Sequence, residues 1–229
     1  VRLWKHEIDR VFGDRLISDE DLKLLDGLVA KLVKNAYGQF ADSVLQQPCL
    51  FGDFELAAQR LVEDAEDPRL YGDMGTFVNV RGIFDEILEL YNAEKKPMTL
   101  VLFEMALTHL TRIHRLIRMP GGHAMLVGVG GSGKQSLSRL ASFVCNYNVC
   151  QIVLTSTYTI NDLKVDIGEM YKKAGVKDEG TTFLFTDSQI ADERFLVFMN
   201  DLLSSGNIPD LFPQEDVDDI VNALTHKVK

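Results

Sequence analysis

Apolar side chains recur at three- and four-residue spacing from the start of the chain. Trp4, Ile8, Val11 and Phe12 share one face of a predicted helix that needs a surface to pack on. A second helix is predicted from Ser18, a good N-cap residue, with Asp19, Glu20 and Asp21 in the first turn where the helix dipole favours acids. Its stripe runs Leu22, Leu25, Leu28, Val29 and Leu32, and Gly38 lies just past its expected end. Between residues 39 and 78 the period fades and Pro48, Gly52, Pro68, Gly72 and Gly75 collect. That composition predicts a connector with one short helical piece near Leu56 to Val62. The boundaries read as a helical segment 1–45, a connector 46–77 and a second module 78–229.

Helical spacing returns through Ile83, Ile87, Leu88 and Tyr91, then breaks at Lys95, Lys96 and Pro97. The next stretch, 98–120, is apolar around most of its circumference at first and narrows to Leu110, Ile113, Leu116 and Ile117 before Pro120 ends it. Its N-terminal half is expected to be buried. His109, Arg112, His114, Arg115 and Arg118 form a basic group on it, and a solvated helix face accounts for them as well as an anion site would.

From His123 onward the pattern changes class. A strand (HAMLVG) leads into a glycine-rich turn, followed by a helix (Ser136 to Asn146), a strand (Val149 to Thr155), a helix (Ile160 to Ala174), and a strand, Thr181 to Thr186. Strands alternating with helices of this length predict an α/β domain with a parallel sheet. A helix through Phe195, Phe198, Met199 and Leu202, a loop from Gly206 to Pro213 and a last helix from about Gln214 complete the pattern.

A hydrophobic content of 46% over 229 residues is ample for a core, and no apolar run reaches the roughly 18 residues of a membrane span. The start of the chain is amphipathic rather than a leader, so a soluble cytoplasmic protein is expected. A net charge of −10 offers no basic field to nucleic acid or to an anionic membrane, and neither is expected as a partner. Cys49, Cys145 and Cys150 form no CxxC and have no histidine at zinc-ligand spacing, so they read as reduced core thiols.

The candidate chemistry lies in Gly128-Val129-Gly130-Gly131-Ser132-Gly133-Lys134-Gln135-Ser136. Gly128, Gly130 and Gly133 fit the dinucleotide fingerprint, but that fingerprint needs a carboxylate at the end of the following strand to hold ribose hydroxyls. Val153 to Thr157 supplies none. The same residues also fit GxxxxGK, in which backbone N–H groups and a helix N-terminus cradle phosphates while the lysine reaches the outer ones. Lys134 decides for this P-loop, because the dipole otherwise disfavours a cation in a helix's first turn.

Magnesium at a P-loop needs a carboxylate at the end of a neighbouring apolar strand, and Asp187 stands at that place, where it could equally cap the next helix. The residue after the lysine, commonly a magnesium-binding hydroxyl, is Gln135, with Ser136 one step on. The residue after Asp187 is Ser188, followed by Gln189, where a hydrolase needs a general base. Nucleotide binding is therefore better supported than hydrolysis.

With these residues in view the chain resembles the dynein heavy chain family, axonemal type, around the fourth AAA+ module of its motor ring. The likeness is carried by GVGGSGKQSLSRLASF (128–143), PMTLVLFEMALTHLTRIHRLIRMPGGHAML (97–126), TFLFTDSQI (182–190) and FMNDLLSSGNIPDLFP (198–213). RLWKHEIDRVFGDRLISDEDL (2–22) resembles the end of the preceding module's small helical domain. Gln135 and the missing glutamate after Asp187 also fit this module, in which many relatives carry Arg at the place of Lys134. The resemblance implies a P-loop AAA+ three-layer sandwich with an incomplete parallel sheet, in a fragment of a longer polypeptide that continues into further strands, a sensor residue and a lid. It implies ATP or ADP held by residues 128–136, with adenine flanked by Met98 to Phe103, and magnesium served by Asp187, Gln135 and Ser136. It further implies neighbouring AAA+ modules, intermediate and light chains and microtubules as partners, and the cytoskeleton of the ciliary or flagellar axoneme as location. The expected role is regulatory, with force-generating hydrolysis elsewhere. The alternatives are a structural ring module with an empty P-loop and a stand-alone P-loop hydrolase.

Overall fold

A computed structural model describes residues 1–63 and 70–225, which places Pro68 of the predicted connector outside the described residues. The chain divides into two compact units, Val1–Arg115 and Leu116–Lys229.

The first unit is helical: α1 (Arg2–Val11), α2 (Asp19–Tyr37), α3 (Ala41–Leu45), α4 (Ala57–Glu63), α5 (Phe77–Glu94) and most of α6 (Glu104–Arg118), with a two-residue antiparallel pair, β1 (Phe51–Gly52) and β2 (Gly72–Asp73). The Ser18 hydroxyl accepts from the backbone of Glu20 and Asp21, and Gly38 closes α2 at φ +49°, both as the sequence predicts. Val29 and Val33 of α2 pack on Ala41 and Val44 of α3, with Ile8 and Leu25 against them. Leu28 and Leu32, read as part of the stripe, are exposed.

The predicted apolar face of α1 is corrected. Trp4, Val11 and Phe12 are exposed, and the helix buries Lys5 and His6 instead. Its fastening is polar. Arg2 donates to the carbonyls of Ser43, Gln46 and Pro48 and pairs with Asp73. The carbonyl of Cys49 can only accept, so His6 Nδ1 carries the proton (3.1 Å) and Nε2 accepts from the Tyr71 hydroxyl (2.9 Å). Tyr71 in turn accepts from Arg115, which also clasps Glu7 through two bonds of 2.8 and 2.9 Å. A periodicity of apolar residues alone cannot register such a seam.

Burial pushes the His6 imidazole below its ordinary value of 6.5; Arg10 and Arg115 add to this, while the Cys49 carbonyl and Glu7 oppose it. Between the lowered value and 6.5 the unfolded chain binds more protons than the folded one, so stability rises with pH across that window and is lost as pH falls. The urea midpoint of this unit, followed through Trp4, should drop as pH falls below 6.5, and His6→Gln should flatten the slope. Equal slopes in both proteins would refute the assignment.

On α6 the basic group is mostly engaged within the unit: Arg112 with Asp14 at 3.1 Å, Arg115 with Glu7, and His114 with Asp53. The solvated-face reading fails for His114, which is buried, and the seam leaves little for an anion. The predicted helix over 98–120 starts only at Glu104, and Met98 is held by the Asn92 side chain, which accepts from its N–H (2.8 Å) and donates to its carbonyl (3.2 Å). Burial in the N-terminal half of this stretch is partial: Leu102, Ala106 and Leu107 are buried while Val101, Phe103 and Met105 are exposed, and burial continues beyond that half at Leu110 and Ile113.

The second unit holds α7 (Lys134–Val144), β3 (Asn148–Cys150), α8 (Ile160–Tyr171), β4 (Thr181–Phe183), α9 (Phe195–Ser204) and α10 (Gln214–Thr225). A π-helical turn at Lys172–Val176 ends α8 earlier than predicted. β3 and β4 pair in parallel, Asn148 opposite Thr181 and Cys150 opposite Phe183, as the strand–helix alternation predicts. Side chains alternate across this pair. Thr182 meets Ser142 of α7 (3.0 Å), whereas Phe183 and Phe185 pack on the core made by Ile152 after β3, Leu163 and Ile167 of α8, and Phe195 and Met199 of α9. Helices thus cover both faces of the small sheet. Cys145 is buried, and Cys49 and Cys150 are half-buried; no disulfide joins them.

One predicted strand is absent. Residues 123–128 form no ladder among the described residues, and Met125 and Val127 are 92% and 85% exposed. Their apolar pattern suits a strand, but a strand requires a neighbour to complete its hydrogen bonds, and β3 pairs with β4 instead.

Candidate functional site

Residues 128–133 turn sharply into α7. Gly131 and Gly133 take φ +76° and +78°, a region open to glycine and strained for other residues. Gly133 is the N-cap of α7 and supplies no side-chain cap, so the first-turn N–H groups of Lys134, Gln135 and Ser136 face outward with the positive end of the helix dipole. A Cβ on Gly128 would stand 3.3 Å from Ser132 Oγ and 3.7 Å from Lys134 Nζ. The Lys134 ammonium lies over this turn, donating to the carbonyls of Gly128 (2.7 Å) and Val129 (2.8 Å) and to Ser132 Oγ (3.2 Å). Loop, helix start and cation therefore form one local unit, made entirely by residues 128–136.

α7 is anchored behind the loop. Ser138 donates to the Lys134 carbonyl (2.9 Å), and Ser142 donates to the Ser138 carbonyl (2.8 Å) and meets Thr182 of β4. Gln135 is exposed and Ser136 half-buried, and among the described residues neither side chain has a protein hydrogen-bond partner. Asp187 is exposed just beyond β4, at the first position of a short 3-10 turn, Asp187–Gln189. Thr186, not Asp187, is the cap of that turn, which leaves the carboxylate open to a ligand. Ser188 Oγ contacts Thr186 Oγ1 at 3.0 Å. Met98 to Phe103 belongs to the first unit.

A separate cleft of about 450 Å³ lies where the loops after β3 and β4 emerge, lined by Tyr158, Thr159, Asn161, Asp192, Arg194 and Phe195 among others. It contains no residue of the glycine loop. Among the described residues no cluster of His, Cys, Asp or Glu could hold a metal by itself, so a cation here would depend on a ligand's own oxygens. No described helix is long and apolar enough to cross a membrane.

A sequence-family model, the P-loop containing dynein motor region D4, matches residues 98–229, more than half of the chain. The chain belongs to the dynein motor region D4 family. A model of the AAA+ lid domain matches residues 1–47 ahead of it. The dynein alpha chain of the flagellar outer arm of Chlamydomonas reinhardtii is 46% identical over the whole of this chain. Dynein axonemal heavy chain 10 of Homo sapiens is 44% identical over 98% of it, and the ciliary dynein beta chain of Heliocidaris crassispina 43% over all of it. The chain spans about 5% of the length of these relatives. Within the D4 region the fold class is therefore the AAA+ P-loop α/β type, here with a small parallel sheet and preceded by lid sequence.

Gln189, which the sequence offers only as the residue after Ser188, has a structural role beside the D4 region's Asp187. It is buried, accepts from Thr186 N (2.9 Å) and Oγ1 (3.1 Å), and donates from Nε2 to the Ile152 carbonyl (2.5 Å). The signal was present as a capping-box spacing, Thr186-x-x-Gln189, after an apolar strand.

Proposed function

We propose that this chain is a nucleotide-binding AAA+ module of an axonemal-type dynein heavy chain, within an ATP-driven, minus-end-directed microtubule motor of cilia or flagella. Its role there is regulatory, with weak or no hydrolysis of its own. The observation that carries the reading is the uncapped N-terminus of α7, entered through a glycine turn that holds the Lys134 ammonium, a combination suited to phosphate oxygens. Residues 128–136 fit ATP or ADP: the backbone N–H groups meet phosphates, and the positive-φ glycines keep Cβ atoms out of the approach. Bound nucleotide with magnesium supplies the phosphate charge to which the loop responds. Asp187, Gln135 and Ser136 would serve that magnesium together with the nucleotide's own oxygens.

Ser188 supports the regulatory role. Its hydroxyl, in contact with Thr186, is no general base at neutral pH, so a bound ATP lacks the group that would activate water. The proposed partners are neighbouring AAA+ modules of the same heavy chain, with intermediate and light chains and microtubules reached through the parent complex. The proposed boundaries are the preceding module's tail at 1–45, a connector at 46–77 and the D4 large domain from 78.

Photolabelling of the intact heavy chain with 8-azido-ATP, mapped by mass spectrometry to peptides of this chain, tests the proposal. Labelling should saturate, and magnesium should tighten it roughly tenfold, the worth of one charge-assisted contact. Asp187→Asn should abolish the magnesium gain and leave labelling in EDTA intact. Absence of saturable label on these peptides would sink the reading.

A further inference from the structure

Parallel ladders repeat every second residue, and the bond from Leu184 N–H to the Cys150 carbonyl (2.8 Å) extends the β3–β4 pairing past its last paired residues. By the same register the next rung would run from Thr186 N–H to the Ile152 carbonyl. That rung is replaced. The Gln189 carboxamide stands between the two groups, taking the Thr186 N–H on Oε1 (2.9 Å) and giving Nε2–H to the Ile152 carbonyl (2.5 Å). The orientation of the amide is settled by chemistry, since Thr186 N–H can only donate and the Ile152 carbonyl can only accept. One buried side chain thus stands between the strand ends while pairing both the Thr186 N–H and the Ile152 carbonyl.

The parting occurs immediately before Asp187. Thr186 and Gln189 also close the 3-10 turn on which Asp187 sits, through Gln189 N–H to the Thr186 carbonyl (2.9 Å). We propose that Gln189 is a positioning residue for the magnesium site: its inserted amide sets where the strand ends and hence where the Asp187 carboxylate is presented. The inference rests on the nucleotide reading above. A hydrocarbon side chain at this position would let Thr186 N–H close directly on Ile152, drawing the turn inward and Asp187 with it.

The test uses the same photolabelling of the intact heavy chain. Gln189→Met should lose the magnesium gain by at least threefold while labelling in EDTA holds. Gln189→Glu keeps the acceptor for Thr186 and loses only the donor to Ile152. Its magnesium gain should fall as well, because a carboxylate oxygen facing the Ile152 carbonyl has no proton to give it and the inserted rung is lost. If the native protein shows no saturable label, the nucleotide reading fails on its own; if it labels without a magnesium gain, there is no magnesium site to position and the inference is overturned. If the native protein shows the gain and both variants keep it in full, the inference is overturned. Loss of labelling in EDTA as well as in magnesium would also overturn it, because the amide would then hold the fold rather than the carboxylate.

Discussion

Lys134→Ala is expected to weaken binding of an ATP analogue to this site by roughly 10- to 100-fold, the worth of a charge-assisted contact to phosphate. The ammonium donates to two carbonyls and to Ser132 Oγ at 2.7 to 3.2 Å, so the loop itself holds the cation, and a phosphate would take over one or more of these bonds. Removing it deletes the cation that would meet bound phosphates and frees the Gly128 and Val129 carbonyls, whose negative ends would then stand unopposed in the loop. Both changes act against an anion. Lys134→Met separates them from packing, because it retains the hydrocarbon stem and should lose affinity nearly as fully. The affinity of the native site should also fall as salt is raised, with a shallower dependence in Lys134→Ala. Equal affinities for native and Lys134→Ala protein, measured on this chain's own peptides, would remove the reason to call the loop a phosphate site.

The sequence carries this loop legibly because the physics is local. Glycine at positive φ, a lysine one residue into a helix and an absent side-chain cap all lie within nine residues, so spacing alone specifies them. The Ser18 cap and Gly38 terminus of α2 are legible for the same reason. What escaped is non-local. The periodic apolar residues of α1 predict an apolar docking face, while the structure docks it through His6 and Arg2 to groups more than 40 positions away. The strand over 123–128 failed in the opposite sense: its residues prefer an extended form, but the ladder that would define it depends on what lies beside it. Gln189 combines both limits. Its spacing to Thr186 is local and readable, whereas its insertion into a rung with Ile152, across 37 positions, requires the β3–β4 register.

Phe54→Ala should cost the first unit about 3–5 kcal/mol, the usual range for an aromatic deleted from a packed core. Phe54 sits in the segment read from sequence as a connector, yet it has no exposed surface. Its ring centroid lies 4.7 Å from that of Phe84 on α5 and 5.3 Å, edge-on, from the His114 ring on α6. One side chain therefore ties the connector to both long helices, and truncation leaves a cavity that neither can fill without shifting. Gly52 is part of the same arrangement, since a Cβ there would come within 2.1 Å of the Phe54 ring. Gly52→Ala must accordingly displace the ring, and it should destabilise in the same direction, though less, by about 1–3 kcal/mol as an overpacking change. Phe54→Leu keeps most of the volume and should recover more than half of the loss. Urea unfolding followed by Trp4, the single tryptophan and a residue of this unit, reads all three variants. A midpoint for Phe54→Ala within error of the native value would mean that the connector does not anchor α5 and α6, and the polar seam of His6, Tyr71 and Arg115 would then be the main tie between α1 and α6.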